Sequence, residues 1–179
     1  MKFFLLTSVI IAFIFLSVHN QASVQSDDLI VAPGQMPNIV TDKSYNVHMV
    51  YGKSDSIMYT YSRDQGKTFS APALLSVLPH LAASHTRGPQ LAVTKDGLVV
   101  TACTNEGDIF SYIMNNNGRW KQTGKVNDAD TVAKENLMAL TADGNNAFAV
   151  WLDLRDKHNK IYGARSMDGG KTWSKNSLV

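Results

Sequence analysis

One short motif occurs twice in this chain, and its spacing constrains the fold more than any other feature. The first copy, SRDQGKTFS, occupies residues 62–70, and the second, SMDGGKTWS, occupies residues 166–174. The copies start 104 residues apart (166 minus 62), and a degenerate copy, NNGRW, begins midway at Asn116, 52 residues after Asp64 (116 minus 64). A fixed period of this size indicates a repeat architecture, in which each repeat is one supersecondary unit.

The residue types in the motif predict a turn. Ser and Asp side chains accept hydrogen bonds from nearby backbone N–H groups, and Gly adopts a positive φ at little cost. An acidic site for a metal ion is the alternative, but a folding device is needed once in every repeat and a catalytic site is not. We therefore assign a structural role to the motif residues, which are Ser62, Asp64, Gly66, Thr68 and Phe69 in the first copy and Ser166, Asp168, Gly170, Thr172 and Trp173 in the second.

The N-terminal segment has the pattern of a targeting signal. Lys2 precedes an almost unbroken apolar run from Phe3 to Val18, and small residues follow at Ala22 and Ser23. The run is typical of a secretory signal peptide and is short for a membrane span. We predict a signal peptide at residues 1–22, a mature chain that is secreted, periplasmic or at the cell surface, and no membrane span after cleavage. An uncleaved anchor is the alternative.

Composition narrows the possible partners and cofactors. The chain has 17 Lys and Arg against 15 Asp and Glu and has no basic run, so nucleic acid is not an expected partner. Cys103 is the only cysteine, which excludes an intrachain disulfide, and its apolar surroundings predict a buried thiol. No Cys and His residues have metal-ligand spacing. We therefore predict neither a metal nor a cofactor.

Each repeat reads as four short strands, which makes the predicted fold all-β. Ile57, Ile109 and Ile161 recur in the third strand of each repeat at the same interval as the motif. Four strands in about 50 residues suggest the blade of a β-propeller, with blades at approximately 34–78, 87–127 and 135–179. A two-sheet β-sandwich is the rival fold, but it does not explain a turn that recurs at one position per repeat.

The repeated motif resembles the Asp-box, or BNR repeat, of the sialidase (neuraminidase) superfamily. The second copy matches S-x-D-x-G-x-T-W at every fixed position, and the first differs only in having Phe69 in place of Trp. The resemblance covers the chain after about Gly34 and implies a sialidase-like β-propeller of six blades. It also implies that this chain is an N-terminal fragment with about three blades. A dimer of two halves is the alternative.

The resemblance further implies where substrate would bind. In such propellers the Asp-box lies away from the active face, which is formed by the loops between strands two and three and between blades. Arg87, followed by Gly88 and Pro89, resembles the Arg-Ile-Pro motif whose arginine binds the substrate carboxylate in sialidases. A planar guanidinium suits this task because it binds a carboxylate in a bidentate manner. The motif is partial, since Gly88 replaces the Ile.

Two loops supply the other expected site residues. The family's acid/base is an Asp in the loop after strand two, where Asp108 is the nearest match and Glu106 lies beside it as a substrate-binding candidate. A longer loop in the third repeat offers Asp156 as a second acid/base candidate and Arg155 as a second cation. The alternative for Arg155 is a local ion pair with Asp153 that shapes the loop.

Two functions of different classes follow from the resemblance. The first is a secreted, exo-acting, sialidase-like glycoside hydrolase that acts on sialosides or another glycan. Sialidases retain configuration with a Tyr nucleophile, and the family places that residue in later blades, so the fragment alone is expected to be inactive. The second is a non-catalytic Asp-box propeller that binds glycans or proteins at the cell surface.

Overall fold

Segments in which apolar and polar side chains alternate form the strands of this protein, because alternate side chains of a strand point to opposite faces of its sheet. The computed structural model describes residues 29–115 and 117–179. The predicted signal peptide and Asn116 of the degenerate motif lie outside the described residues. Within those residues no helix is long and apolar enough to cross a membrane.

The described strands fall into three antiparallel sheets of four strands each. Blade one contains β1 (Gln35–Thr41), β2 (Val47–Lys53), β3 (Ser56–Ser62) and β4 (Ala73–Val77). Blade two contains β5 (Gln90–Thr94), β6 (Gly97–Cys103), β7 (Ile109–Met114) and β8 (Trp120–Lys125). Blade three contains β9 (Met138–Asp143), β10 (Asn146–Asp153), β11 (Lys160–Ser166) and β12 (Ser177–Leu178).

Every sheet is a meander built from the strands of a single repeat. The all-β prediction and the four-stranded blades of a propeller are therefore confirmed. The last strand differs in its start, since β12 begins at Ser177 whereas the sequence pattern suggests Trp173. The N–H of Ser174 first closes the turn on the carbonyl of Arg165, and the Trp173 ring packs between blades two and three.

Two apolar layers hold neighbouring blades together. Between blades one and two, Val50 and Ile57 pack with Leu91 and Val100, all of them buried. Between blades two and three, the buried ring of Trp151 packs with side chains that include Cys103. Burial raises the pKa of the Cys103 thiol to about 11, so this thiol stays protonated and inert at neutral pH.

The connections between strands lie at two opposite ends of the blades. Turns from the first to the second strand and from the third to the fourth lie at one end, which we call the box end because it carries the repeated motif. Loops from the second to the third strand and the connections between blades lie at the other end, which we call the loop end. All of the catalytic and substrate-binding residues predicted above lie at the loop end.

Candidate functional site

Each copy of the repeated motif is a turn closed by its own side chains. In the first copy, Ser62 Oγ donates to Asp64 Oδ1 at 2.7 Å and accepts from the N–H of Gly66 at 2.8 Å. Thr68 donates to both oxygens of Asp64, from its N–H at 2.8 Å and from its hydroxyl at 2.6 Å. The carboxylate is therefore saturated by the chain that surrounds it.

The second copy repeats this geometry. Thr172 donates to Asp168 from its N–H at 2.9 Å and from its hydroxyl at 2.6 Å, and the N–H of Gly170 donates to Ser166 Oγ at 2.8 Å. Burial opposes ionisation of Asp168, but these hydrogen bonds outweigh it and lower the pKa of the carboxyl to about 2. In the described residues no group of three His, Cys, Asp or Glu side chains could hold a metal ion. In both copies the hydrogen bonds of the Ser and Asp side chains close the turn.

Arg87 lies at the loop end, directly before β5. Its Nε donates to the carbonyl oxygen of Glu135 at 2.6 Å, and its Nη2 lies 3.6 Å from the Glu135 carboxylate. The side chain is 30% exposed, so the guanidinium is held at one edge and open to solvent at the other. This geometry leaves part of the planar fork available to an anion.

Asp108 lies at the start of β7, where Lys125 Nζ and the N–H of Thr131 approach its Oδ1 at 2.8 and 2.7 Å. Burial alone would raise the pKa of the Asp108 carboxyl, but the hydrogen bonds from Lys125, Thr131 and Asn127 outweigh it and lower the pKa. Asp108 is thus ionised at neutral pH in this arrangement. A general acid needs the opposite shift, towards a raised pKa.

Glu106 pairs with His80 across two loops of the loop end. Their hydrogen bond lowers the pKa of the Glu106 carboxyl and raises that of the His80 imidazole. Both side chains are exposed, so solvent screens the pair.

Arg155 is the most extensively bonded cation of the loop end. Its Nε and Nη2 donate to the two oxygens of Asp153, each at 2.9 Å, and Asp153 is fully buried. Nη1 reaches Asp128 at 3.0 Å, and Nη2 reaches the side chain of Asn176 at 3.0 Å. The guanidinium also lies over the ring of Tyr162, 4.2 Å from the centroid. Arg155 therefore ties together the β10–β11 loop and the chain segments after β8 and before β12.

Asp156 lies in the same loop as Arg155 but bonds to other partners. It accepts from Lys160 Nζ at 2.9 Å and from the Tyr162 hydroxyl at 3.1 Å. These two bonds, the one from Lys160 first, lower the pKa of the Asp156 carboxyl.

The structure places the predicted residues in four groups at the loop end. Arg87 lies with Glu135, Glu106 with His80, and Asp108 with Lys125. Arg155 lies in the blade-three loop that also carries Asp156. Sequence reasoning missed Tyr162 and Asn176 as parts of the Arg155 group. Tyr162 lies in β11, where the alternation of side chains could have placed it near the loop. The local sequence around Asn176 gives no indication that this residue contacts Arg155.

The chain is similar to several solved β-structures. It resembles the α-L-arabinofuranosidase Arb93A of Fusarium graminearum, solved with an iminosugar inhibitor, at 16% identity and a TM-score of 0.55 over 81% of this chain and 48% of that one. It also resembles the Aleuria aurantia lectin in complex with Fucα1-6GlcNAc, at 15% identity and a TM-score of 0.53 over 80% and 44% of the two chains. A third similar structure is GH43B of a Bacteroides ovatus xyloglucan PUL, at 11% identity and a TM-score of 0.51 over 81% of this chain and 29% of that one.

These similarities concern the fold alone. The chain spans about half of the length of the arabinofuranosidase, since it covers 48% of that protein. A search of curated protein sequences finds no match. The sequence profile of the BNR repeat-like domain matches residues 35–179, which include all three blades. The chain therefore belongs to the BNR repeat-like domain family, which confirms the resemblance to Asp-box proteins of the sialidase superfamily.

Proposed function

We propose that this chain belongs to a secreted, sialidase-like glycoside hydrolase that binds its glycan substrate at the loop end. Family membership supports a glycan ligand, as do the sugar and iminosugar ligands of the lectin and the arabinofuranosidase. The observation that carries the proposal is the placement of Arg87 at the start of an inner strand, half-buried and anchored through one edge only.

In this proposal Arg87 binds the carboxylate of an acidic sugar. The bond from Nε to the Glu135 carbonyl fixes the plane of the guanidinium before substrate arrives, which reduces the entropy lost on binding. The contact to the Glu135 carboxylate at 3.6 Å is long, so a substrate carboxylate can compete for Nη2. Arg155 and Glu106 would contact the substrate from neighbouring loops.

Asp108 and Asp156 are the acid/base candidates of the proposed reaction. Each carries a lowered pKa because it accepts hydrogen bonds from a lysine and from other donors, which are Thr131 and Asn127 for Asp108 and Tyr162 for Asp156. Substrate would have to displace the lysine before either carboxyl could protonate a leaving group. The retaining mechanism of sialidases also requires a Tyr nucleophile, which the family contributes from later blades.

Release of a fluorogenic aglycone from a sialoside by the full-length protein tests the proposal. Arg87→Ala should lower kcat/KM about 10- to 100-fold, because it removes a charge-assisted bond to the substrate carboxylate. Arg165→Ala is the matched control, since Arg165 lies at the box end over the ring of Phe148 and should leave turnover unchanged. Equal turnover in wild type and Arg87→Ala would refute the assignment.

A non-catalytic glycan-binding propeller is the second candidate function. The lowered pKa of both acid/base candidates favours it, because neither carboxyl holds a proton at neutral pH. If the full-length protein binds glycans without releasing the aglycone from any glycoside tested, the binding function replaces the enzymatic one.

Secretion is a separate part of the proposal. Cleavage after residue 22 would give a mature N-terminus at Ser23. Mass spectrometry of the protein recovered from the medium or the periplasm checks this, and a protein that retains Lys2 and stays in the membrane fraction would indicate an uncleaved anchor.

A further inference from the structure

An open cleft of about 970 Å³ lies at the box end between blades one and two. Its walls come from β2, β3 and β4 of blade one and from the β7–β8 turn of blade two. Six of the fourteen lining residues have aromatic or cationic side chains: His48, Tyr59, Tyr61, Arg63, Arg119 and Trp120.

At the junction between blades two and three the repeated motif packs on blade two and leaves a smaller cleft, of about 570 Å³. The carbonyl of Gly170 accepts hydrogen bonds from Ser111 Oγ at 3.0 Å and from Thr123 Oγ1 at 2.7 Å. A Cβ added at Gly170 would lie 2.3 Å from Val99 Cγ2, so the turn packs directly on blade two. A glycine at this position permits the close approach.

Among the described residues of the degenerate motif, Gly118 does not pack on blade one as Gly170 packs on blade two. A Cβ added at Gly118 would meet nothing within 4 Å. Blade one also has neither a Ser nor a Thr at the two positions whose hydroxyls receive the turn in blade two, and the Tyr59 hydroxyl is bonded to His48. Tyr59 occupies the position of Ser111, 52 residues earlier (111 minus 59), and the stretch that corresponds to Thr123, residues 71–73, reads Ala-Pro-Ala. The degeneration of the motif therefore leaves the cleft open.

The aromatic side chains of the cleft form a stacked cluster. Tyr59 packs edge-on against Trp120 with centroids 5.2 Å apart and stacks with both His48 and Tyr61, each at 6.1 Å. Tyr59 is buried, whereas Tyr61 and Trp120 remain partly exposed. Such rings offer rigid, amphipathic contact area at a low cost in conformational entropy. They suit the apolar C–H face of a sugar ring.

The charged side chains that line the cleft are two arginines. Arg63 lies over the Tyr61 ring, 5.2 Å from its centroid, and Arg119 lies on the opposite wall. No carboxylate is among the described residues that line the cleft, and neither guanidinium has a salt-bridge partner within the described chain. The Tyr61 hydroxyl likewise has no hydrogen-bond partner among those residues. The cleft is thus complementary to an anionic ligand with hydroxyl groups.

We propose that this cleft binds a saccharide that carries a carboxylate, at a site separate from the loop end. The sugar ring would pack on Trp120 and Tyr61, and the carboxylate would pair with Arg63 and Arg119. A pocket volume of several hundred Å³ is typical of small-ligand sites, and this cleft is large enough for an oligosaccharide end. The proposal does not depend on catalysis at the loop end.

Calorimetric titration of the full chain with two pairs of probes tests the proposal. The pairs are 3′-sialyllactose with neutral lactose, and tetragalacturonate with its neutral methyl ester. At least one acidic probe should bind about tenfold or more tightly than its neutral counterpart, and its Kd should rise with added NaCl because salt screens the arginines. Absence of binding by both acidic probes, or equal binding of the neutral ones, would overturn the proposal.

Variants locate the binding. Arg63→Gln and Arg119→Gln should each weaken binding of the acidic probe about tenfold, since each removes a charge-assisted bond. Ala71→Trp fills the cleft from an exposed position and leaves both arginines in place. In the Arg87→Ala background, where the loop end no longer contributes, it should abolish binding. Arg165→Gln, an arginine over a ring outside the cleft, is the matched control and should bind as wild type does.

The loop-end variant Arg87→Ala separates this site from the proposed active site. Arg87→Ala removes the binding proposed for the loop end, so the binding that remains should still be weakened by Arg63→Gln and by Arg119→Gln. Binding that is lost in Arg87→Ala and kept in Ala71→Trp would assign the saccharide to the loop end and refute the cleft.

Discussion

At the scale of single residues, the Asp of each motif copy is the acceptor that closes the turn. Asp64 and Asp168 receive hydrogen bonds from the same three kinds of donor, a Ser hydroxyl, a Thr hydroxyl and the Thr N–H. These bonds lower the pKa of both carboxyls. The carboxylate thus stabilises the folded chain, and this contribution depends on pH.

Asp168→Asn should lower the free energy of unfolding at pH 7 by about 1–3 kcal/mol, because the amide cannot accept all of these bonds. The folded pKa of about 2 lies below the ordinary value of 3.8, so the stabilisation is present above pH ~4 and is lost as the pH falls towards 2. Urea denaturation of wild type and variant between pH 7 and 2 measures this. The two curves should converge at the acid end.

Asp143→Asn is the control for that experiment. Asp143 is exposed at the end of β9, and its carboxylate accepts no hydrogen bond within the described chain. Its variant should unfold as wild type does across the same pH range. A destabilisation equal to that of Asp168→Asn would show that loss of charge alone, and not the turn, is responsible.

At the scale of elements, copies of one turn differ in what they touch. The turns around Gly66 and Gly170 share their internal hydrogen bonds, and both glycines have a φ of 90°. Only Gly170 packs on a neighbouring blade, against Val99 of β6. Within the described residues, both turns are closed hairpins, and the one at Gly170 is also an interlocking contact.

Substitution by Ala separates the two roles. Gly66→Ala should cost about 1–2 kcal/mol, the penalty of a positive φ for a residue with a Cβ. Gly170→Ala should cost a further ~1–3 kcal/mol, because the new Cβ would lie 2.3 Å from Val99 Cγ2 and force the blades apart. Urea denaturation measures both. Equal losses would mean that the turn does not lock the blades together.

At the scale of the whole molecule, polar side chains fix how neighbouring blades align. Asn38 of β1 accepts from the N–H of Leu91 at 2.9 Å and donates to the Gln90 side chain at 3.2 Å. Asn145 does the same between blades three and two, where it bonds with both the N–H and the carboxylate of Asp96. The two asparagines thus accept from the backbone N–H groups of Leu91 and Asp96, which have no partner in the hydrogen-bond ladder of their own sheet.

Asn38→Leu should destabilise the chain by about 1–3 kcal/mol, because the N–H of Leu91 loses its acceptor at a partly buried position. Hydrogen exchange at that amide should become faster than in wild type. Asn117→Leu serves as the control, since Asn117 is exposed and its side chain bonds to nothing in the described residues. Unchanged exchange at Leu91 in Asn38→Leu would refute the role of the bridge.

The strands and the blades were predictable because their signals lie within one repeat. The alternation of Ile57, Tyr59 and Tyr61 marks β3, and the motif after it marks the turn, so no distant residue is needed to recognise either. The start of β12 was less predictable. Before that strand begins, the partly buried Trp173 ring packs between blades two and three, and the alternating pattern does not reveal such a contact.

The site was predictable only as a list of polar loop residues. Asp153 and Arg155 could be proposed as an ion pair because they are two residues apart, and they do bond. The links from Arg155 to Asp128 and Asn176 join positions 27 and 21 residues away in the chain. Contacts of that range arise from the packing of loops at one end of the blades, for which no local pattern exists.

The sequence by itself determined the period, the clipped turn and the all-β blades, because hydrogen bonds and alternation within a repeat specify them. Only the tertiary structure decided which turn packs against the neighbouring blade. The hydroxyls of Ser111 and Thr123 receive the turn at Gly170. At the corresponding positions blade one has Tyr59, whose hydroxyl bonds to His48, and the Ala-Pro-Ala of residues 71–73. A cleft between blades depends on side chains about 50 residues apart, and their complementarity appears only when the blades are packed together.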